Sequence, residues 1–439
     1  MSAHRNPVYI APVLVAVRSD TQPALPRSLQ RNFVWTFAGN ATYAACQWLV
    51  IVLIAKLGSP TLVGQFTLGV AVCGPIMLLC GLALRVVQAN DVQRRRAFRT
   101  YLGLRLLTTA VALLGIGLIV VIAGYGRALS GVVLLVGIAK AAEAISEVFW
   151  AQLQQQEQMA PIGTSMILKG VLSVAAVGAV LGTLGNLTIA TLAFAATWIA
   201  ALLVYDLPVG RRMIPQTLRP SFQCAALLDL ARLAFPLGIV LMLSSLALNV
   251  PRYFLVHHHD EHALGMFSAI SNLMLVGMTL MTALGQAAAP RLARHFANQD
   301  RAGVIHLVVK LLGVSVALGI CGIVLAVVAG RFILTIVYTL EYAAAVDVLV
   351  LAMIAALASY VSNVFAAVAI AAGEFRIPVP LQCVNLLTTT IIAWLAIPSH
   401  GMVGAAWALV GSNVVTALAF GWLAHHCVGR MGAIGVQNV

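Results

Sequence analysis

The chain has 439 residues, 61% of them hydrophobic and only 9% charged, and a formal net charge of +13. A soluble domain carries about 25% charged residues, so this composition excludes one and points to an integral membrane protein of many spans. The basic excess does not imply nucleic acid, because the lysines and arginines sit in tails and short loops between apolar runs, a pattern of topology.

Residues 1–30 contain one apolar run, "VYIAPVLVAV", too short to span and followed by no clear cleavage site; they read as a flexible cytoplasmic tail. Twelve runs then approach the roughly 20 apolar residues that cross about 30 Å of hydrocarbon. They lie near 32–55, 65–89, 101–124, 131–152, 161–183, 187–206, 233–256, 264–288, 304–329, 346–371, 378–397 and 403–425. The expected fold is an all-α polytopic membrane protein of about twelve helices in two six-helix lobes. Residues 31–207 form an N-lobe, 208–232 a cytoplasmic loop with three prolines, 233–425 a C-lobe and 426–439 a cytoplasmic tail. The tails and the loops on their side carry about 17 Lys/Arg, as in "RRRAFR" (94–99), "GRRMIPQTLRP" (210–220) and "PRLARHFANQDR" (290–301). The opposite loops carry Lys56, Arg127 and Arg331, which places both termini in the cytoplasm.

The halves look related. "LVGQFTLGVAV" (62–72) aligns with "ALGMFSAISNL" (263–273), matching Gly64 to Gly265 and Phe66 to Phe267. "ISEVFWAQLQQQEQMAP" (145–161) resembles "VSNVFAAVAIAAGEFRIP" (361–378). Repeats of six spans share one orientation, and parallel repeats with a site between them are a transporter architecture. There is no GxxxxGK[ST] and no long loop for a catalytic domain. The seven cysteines include no CxxC and read as packing residues, and no cofactor is implied.

Polar residues inside the spans are the candidate sites. Asn40, Tyr43 and Gln47 follow i, i+3, i+7 on span one, fitting either interhelical hydrogen bonds or a sugar-facing wall. Arg85 and Arg105 flank the loop near residue 95 at similar depth; they suit snorkelling to lipid phosphate or a cationic entrance for an anionic headgroup. Lys140, Glu143 and Glu147 share one face of span four. Glu147 and Lys169 are equally far from the turn between spans four and five, which predicts an ion pair across that hairpin. Glu143 is then the less paired carboxylate and a candidate for a coupling proton, unless all these groups form one locked network. Arg252, with Asn249 and Pro251 beside it, lies near the outer end of span seven. It is a boundary residue or a bidentate holder of a diphosphate. "HHHDEH" (257–262) reads as a solvated, pH-sensitive loop, because consecutive histidines rarely converge on one metal ion.

"RNFVWTFAGNATYAACQWLVIVLIAKLGSPTLVGQFTLGVAV" (31–72), "KAAEAISEVFWAQLQQQEQM" (140–159), "NVPRYFL" (249–255) and "ALGQAAAPRLARHF" (283–296) carry a family resemblance. Together they resemble bacterial O-antigen and exopolysaccharide repeat-unit flippases of the multidrug/oligosaccharidyl-lipid/polysaccharide exporter superfamily. In the fourth-span pattern Ser146, Glu147, Gln154 and Met159 match, with Ala151 for the usual Gly and Glu147 for the usual Asp. The resemblance implies twelve helices around a central cavity, alternating access and no enzymatic activity. It implies lipid-linked oligosaccharide on undecaprenyl diphosphate as cargo in the bacterial inner membrane, with H+ or Na+ as a coupling cation. Where the multidrug branch often has an acid in span one, this chain has Asn40. The alternatives are a multidrug/cation antiporter of the same superfamily and a membrane polysaccharide polymerase.

Overall fold

The computed structural model describes residues 27–91, 95–214, 219–372 and 378–431. The tail through residue 26, residues 92–94 with Arg94 of the basic loop, residues 215–218 of the inter-lobe loop, 373–377 and the last eight residues lie outside them. The helices are α1 Arg27–Leu57, α2 Pro60–Gly81, α3 Leu84–Ala89, α4 Phe98–Ala123, α5 Arg127–Gln155, α6 Met159–Leu184, α7 Leu187–Ala201 and α8 Leu207–Met213. A second series follows: α9 Cys224–His258, α10 Glu261–Asn272, α11 Met274–Ala297, α12 Arg301–Val337, α13 Val346–Ala371 and α14 Pro378–Gly429. A five-residue π-turn, Leu202–Asp206, joins α7 to α8, and a 3-10 turn, Leu340–Ala345, precedes α13.

Eleven of the described helical rods are long and apolar enough to cross a membrane. The last, α14, is two spans. At Gly401 the backbone turns to φ 52°, ψ −125°, and Gly404 comes back against Ala396 and Gly411 against Ile392. Span two is interrupted. Leu82 and Ala83 take left-handed backbone angles, which end α2 and start α3 in a new direction. By contrast, α9 runs helically through Pro236 and Pro251.

Helices α1 to α8 pack among themselves, as do α9 to α14, and the pairings repeat. The α1–α6, α2–α5 and α4–α5 packings of the first half have counterparts in α9–α14, α10–α13 and α12–α13 of the second. Hydrocarbon gives little drive to press apolar helices together, so close backbone approach matters. Where α1 crosses α6, a Cβ on Gly39 would lie 2.6 Å from the Gly163 Cα, and one on Gly163 would lie 2.6 Å from the Trp35 carbonyl oxygen. The repeat extends to the helix caps. Ser59 accepts from the Leu62 amide at the start of α2, and Asp260 accepts from the Ala263 amide at the start of α10. Each cap precedes its matched glycine by five residues and its matched phenylalanine by seven.

The lobes meet along α2. Its first turns cross α10 and its remainder lies on α9, where Tyr253 donates its hydroxyl to the Ala71 carbonyl. On the other flank, α1 and α11 face each other across a cavity.

Candidate functional site

Two cavities adjoin between and within the lobes, sharing Leu275 and Met278 as a common wall. The first, about 360 Å³, is lined on the α1 side by Phe33, Thr36, Phe37, Asn40 and Tyr43, and on the α11 side by Thr279 and Thr282. The second, about 320 Å³, lies in the C-lobe, with Arg252, Ser271, Asn272, Ser359, Tyr360 and Asn413 as its polar lining. Among the described residues, neither lining contains a carboxylate.

Arg252 therefore lies on a cavity wall. Its Nη1 donates to Asn249 Oδ1 at 2.8 Å, and Asn249 donates in turn to the Ser245 carbonyl at 2.8 Å. The Arg252 Nε is buried and has no partner. Residue spacing on α9 explains the arrangement: Ser245, Asn249 and Arg252 stand at i, i+4 and i+7 on one face. A guanidinium held by one amide, with donors left over, is suited to a bidentate anion.

On α1 the polar stripe is real but its members differ. Asn40 is exposed to the inter-lobe cavity and donates to the Thr36 carbonyl at 2.8 Å. The Gln47 amide nitrogen is buried without a partner. Tyr43 spans cavity and interior: it lines the cavity, and its hydroxyl donates to Glu143 Oε1 at 2.6 Å.

Behind Tyr43 the N-lobe holds three acid–base pairs, arranged differently from the expectation. Lys169 does not pair with Glu147. Its ammonium lies 2.9 Å from Asp206 Oδ2 and 2.6 Å from the Ser146 hydroxyl, and 4.5 Å above the Trp150 ring. Trp150 Nε1 donates to the other Asp206 oxygen at 3.2 Å. Depth along the hairpin was right, but helical phase decides: Ser146, not Glu147, is the residue that α5 turns toward α6. Glu147 faces α4, where Arg105 Nη2 stands 3.3 Å from its Oε2. Glu143 is not the less paired acid either, because it holds Lys140 at 2.8 Å as well as Tyr43. Glu147 has the longest ion pair of the three, and its side chain is 33% exposed.

This also corrects the reading of Arg85 and Arg105 as a matched entrance. Arg105 is 2% exposed and committed to Glu147, so it neither snorkels nor guards an opening. Arg85, redirected by the Leu82–Ala83 break, stacks over Trp150 at 5.3 Å. The sequence reading missed Asp206. It is the carboxylate at the end of the apolar run of span six, and matching every buried base against acids at span ends would have found it. The C-lobe cavity residues Asn272, Tyr360 and Asn413 carried no charge signal. In the "HHHDEH" loop four of the six groups have separate hydrogen-bond partners. Asp260 caps α10, Glu261 accepts from Gln65 at 2.7 Å, His262 contacts Glu341 at 2.7 Å, and His259 bonds the Ile397 carbonyl at 3.0 Å.

Residues 29–296 match the family model described as polysaccharide biosynthesis protein. The chain belongs to that family. A relative of this polysaccharide biosynthesis protein is the capsular polysaccharide biosynthesis protein CapF of Staphylococcus aureus, 24% identical over 392 residues, 89% of this chain and 98% of that one. Among solved structures, a multidrug resistance MATE family transporter of the MOP superfamily, in its inward-facing conformation, superposes with a TM-score of 0.71 at 13% identity, covering 90% of this chain and 96% of that one. A MOP superfamily transporter from Pyrococcus furiosus, described by the reverse polarity of its binding pocket, gives 0.63 at 15% identity over 92% and 96% of the two chains. A mutant of the Vibrio cholerae MATE transporter VcmN gives 0.61 at 16% over 94% and 97%. The polysaccharide biosynthesis protein is thus a multi-pass membrane protein with the MATE-like fold.

Proposed function

We propose that this transporter flips undecaprenyl-diphosphate-linked oligosaccharide repeat units across the bacterial inner membrane by alternating access, for surface polysaccharide synthesis. The observation that carries the reading is Arg252 on the wall of an acid-free cavity with a buried, unpartnered Nε. A guanidinium in that setting suits a diphosphate, and an amide-rich wall suits sugar hydroxyls. The neighbouring inter-lobe cavity adds Phe33, Phe37 and Leu275, apolar surface against which a polyprenyl chain can lie. A cationic drug would find no carboxylate in either lining, which disfavours multidrug antiport. Both termini are cytoplasmic in this reading, and H+ or Na+ entry drives the cycle.

The test is Arg252→Lys, which keeps the charge and loses the fork. It should strongly reduce surface polysaccharide in a complementation strain at unchanged membrane protein level, as should Arg252→Ala. Normal polysaccharide with both variants would remove Arg252 from the binding role.

A further inference from the structure

We infer that the crossing of α2 and α10 at Gly64 and Gly265 is the gate that parts in each transport cycle. The two glycines occupy equivalent positions in the internal repeat, and they meet each other. A Cβ on Gly64 would overlap the Glu261 carbonyl and lie 3.2 Å from the Gly265 nitrogen. A Cβ on Gly265 would overlap the Pro60 carbonyl and lie 2.8 Å from the Gly64 nitrogen. Pro60 and Glu261 are themselves equivalent, each one residue past its cap, so a local two-fold axis runs through the contact.

The chemistry of this seam suits a contact that is tight when closed and easily parted. At the two glycines backbone lies on backbone, with no side chain between the helices. The larger groups belong to one lobe each. Phe66 packs edge-on against Phe194 at 5.8 Å within the N-lobe, and Phe267 lines the C-lobe cavity. Polar ties across the lobes toward this end include Gln65 to Glu261 at 2.7 Å, a long Trp48 to Tyr338 bond at 3.4 Å and the Tyr253 hydroxyl to the Ala71 carbonyl. Static packing alone would not require the cavity to touch the seam. Yet Phe267, two residues from Gly265, stands in the same lining as Arg252, so an occupant of the cavity bears directly on the closed crossing. The inference rests on the chain being a transporter and not on the identity of its cargo.

The test uses a cysteine-free chain in lipid nanodiscs, with one reporter cysteine at Thr61→Cys beside the crossing or Ala44→Cys in the inter-lobe cavity. The probe is a soluble maleimide. Gly64→Ala and Gly265→Ala should each raise the labelling rate at position 61 several-fold and lower it at 44. Gly170→Ala and Gly319→Ala, close contacts within single lobes made to the side chains of residue 46 and Leu357, should leave both rates at wild type. Gln65→Ala adds no atoms at the crossing and should shift the rates the same way, which keeps the test decisive if a glycine variant fails to fold. Wild-type rates in folded Gln65→Ala and in any folded variant of Gly64 or Gly265 overturn the gate. So do shifts of equal size in the within-lobe controls.

Discussion

Among single residues, the N-lobe sets a fully satisfied ion pair beside a looser, partly exposed one. Lys169 and Asp206 are 0% and 2% exposed, and each has further partners, so the charges are fully satisfied in the interior. Removing one partner of such a pair leaves an uncompensated buried charge, at a cost of about 3–5 kcal/mol. Asp206→Asn should therefore lower the thermal unfolding midpoint in detergent sharply, and the double variant Lys169→Met/Asp206→Leu should recover much of it. A double variant as unstable as the single would show that the pair does more than satisfy itself. Glu147 is the opposite case, with one long ion pair and a third of its side chain open. Glu147→Gln should reduce surface polysaccharide per folded molecule, whereas Glu143→Gln, which loses Lys140 and weakens Tyr43, should mainly reduce the amount of folded protein. The reverse order would favour Glu143 as the carrier of a coupling proton. The sequence located these charges by depth, because distance from a turn is a matter of counting. It could not pair them, because a rotation of about 100° per residue moves neighbours such as Ser146 and Glu147 onto different helices.

The helices themselves were largely legible, since apolar length is the dominant signal in a membrane chain. What escaped were the breaks. Leu82 and Ala83 take left-handed angles that their side chains do not favour, and nothing in "CGLALR" announces them. The π-turn that carries Asp206 is equally silent in the sequence. Caps are easier to read. Asp300 accepts from the Gly303 amide at 2.8 Å at the start of α12, and His295 contacts its other oxygen at 2.8 Å. The amide of Gly303, with help from His295, holds the Asp300 carboxyl below its ordinary range. A carboxyl lowered by folding stabilises the helix start at pH above its unfolded pKa, roughly 4, and loses that contribution as pH falls through the lower folded value. Hydrogen exchange at the Gly303 amide should thus be slowed at neutral pH and accelerate, beyond the intrinsic trend, only in acid. In Asp300→Ala the protection should be absent at every pH. Equal protection in the variant would mean that the cap is idle.

For the molecule as a whole, the sidedness of every site depends on the number of crossings, and that number turns on α14. Its 52 residues, at about 1.5 Å each, would make a straight rod far longer than a bilayer of roughly 30 Å. The contacts of Ala396 with Gly404 and of Ile392 with Gly411 pair the chain antiparallel about Gly401, whose φ of 52° permits the reversal. Two crossings there make twelve in all and return the end of α14 to the side on which α1 begins. In the proposed topology that side is the cytoplasm, where lysine and arginine gather in the loops that share it. The inter-lobe cavity bounded by Phe33 and Thr36, near the start of α1, then opens toward the cytoplasm, and the Gly64–Gly265 crossing faces outward. A green fluorescent protein fused after residue 431 should fluoresce, and alkaline phosphatase at the same point should be inactive. Phosphatase placed in the loop at Arg127, between α4 and α5, should be active. Active phosphatase at the C-terminal fusion, with the Arg127 fusion also active, would mean that α14 crosses once. Active phosphatase at the C-terminus with an inactive Arg127 fusion would invert the whole assignment, turning the cavity outward and the glycine crossing toward the cytoplasm.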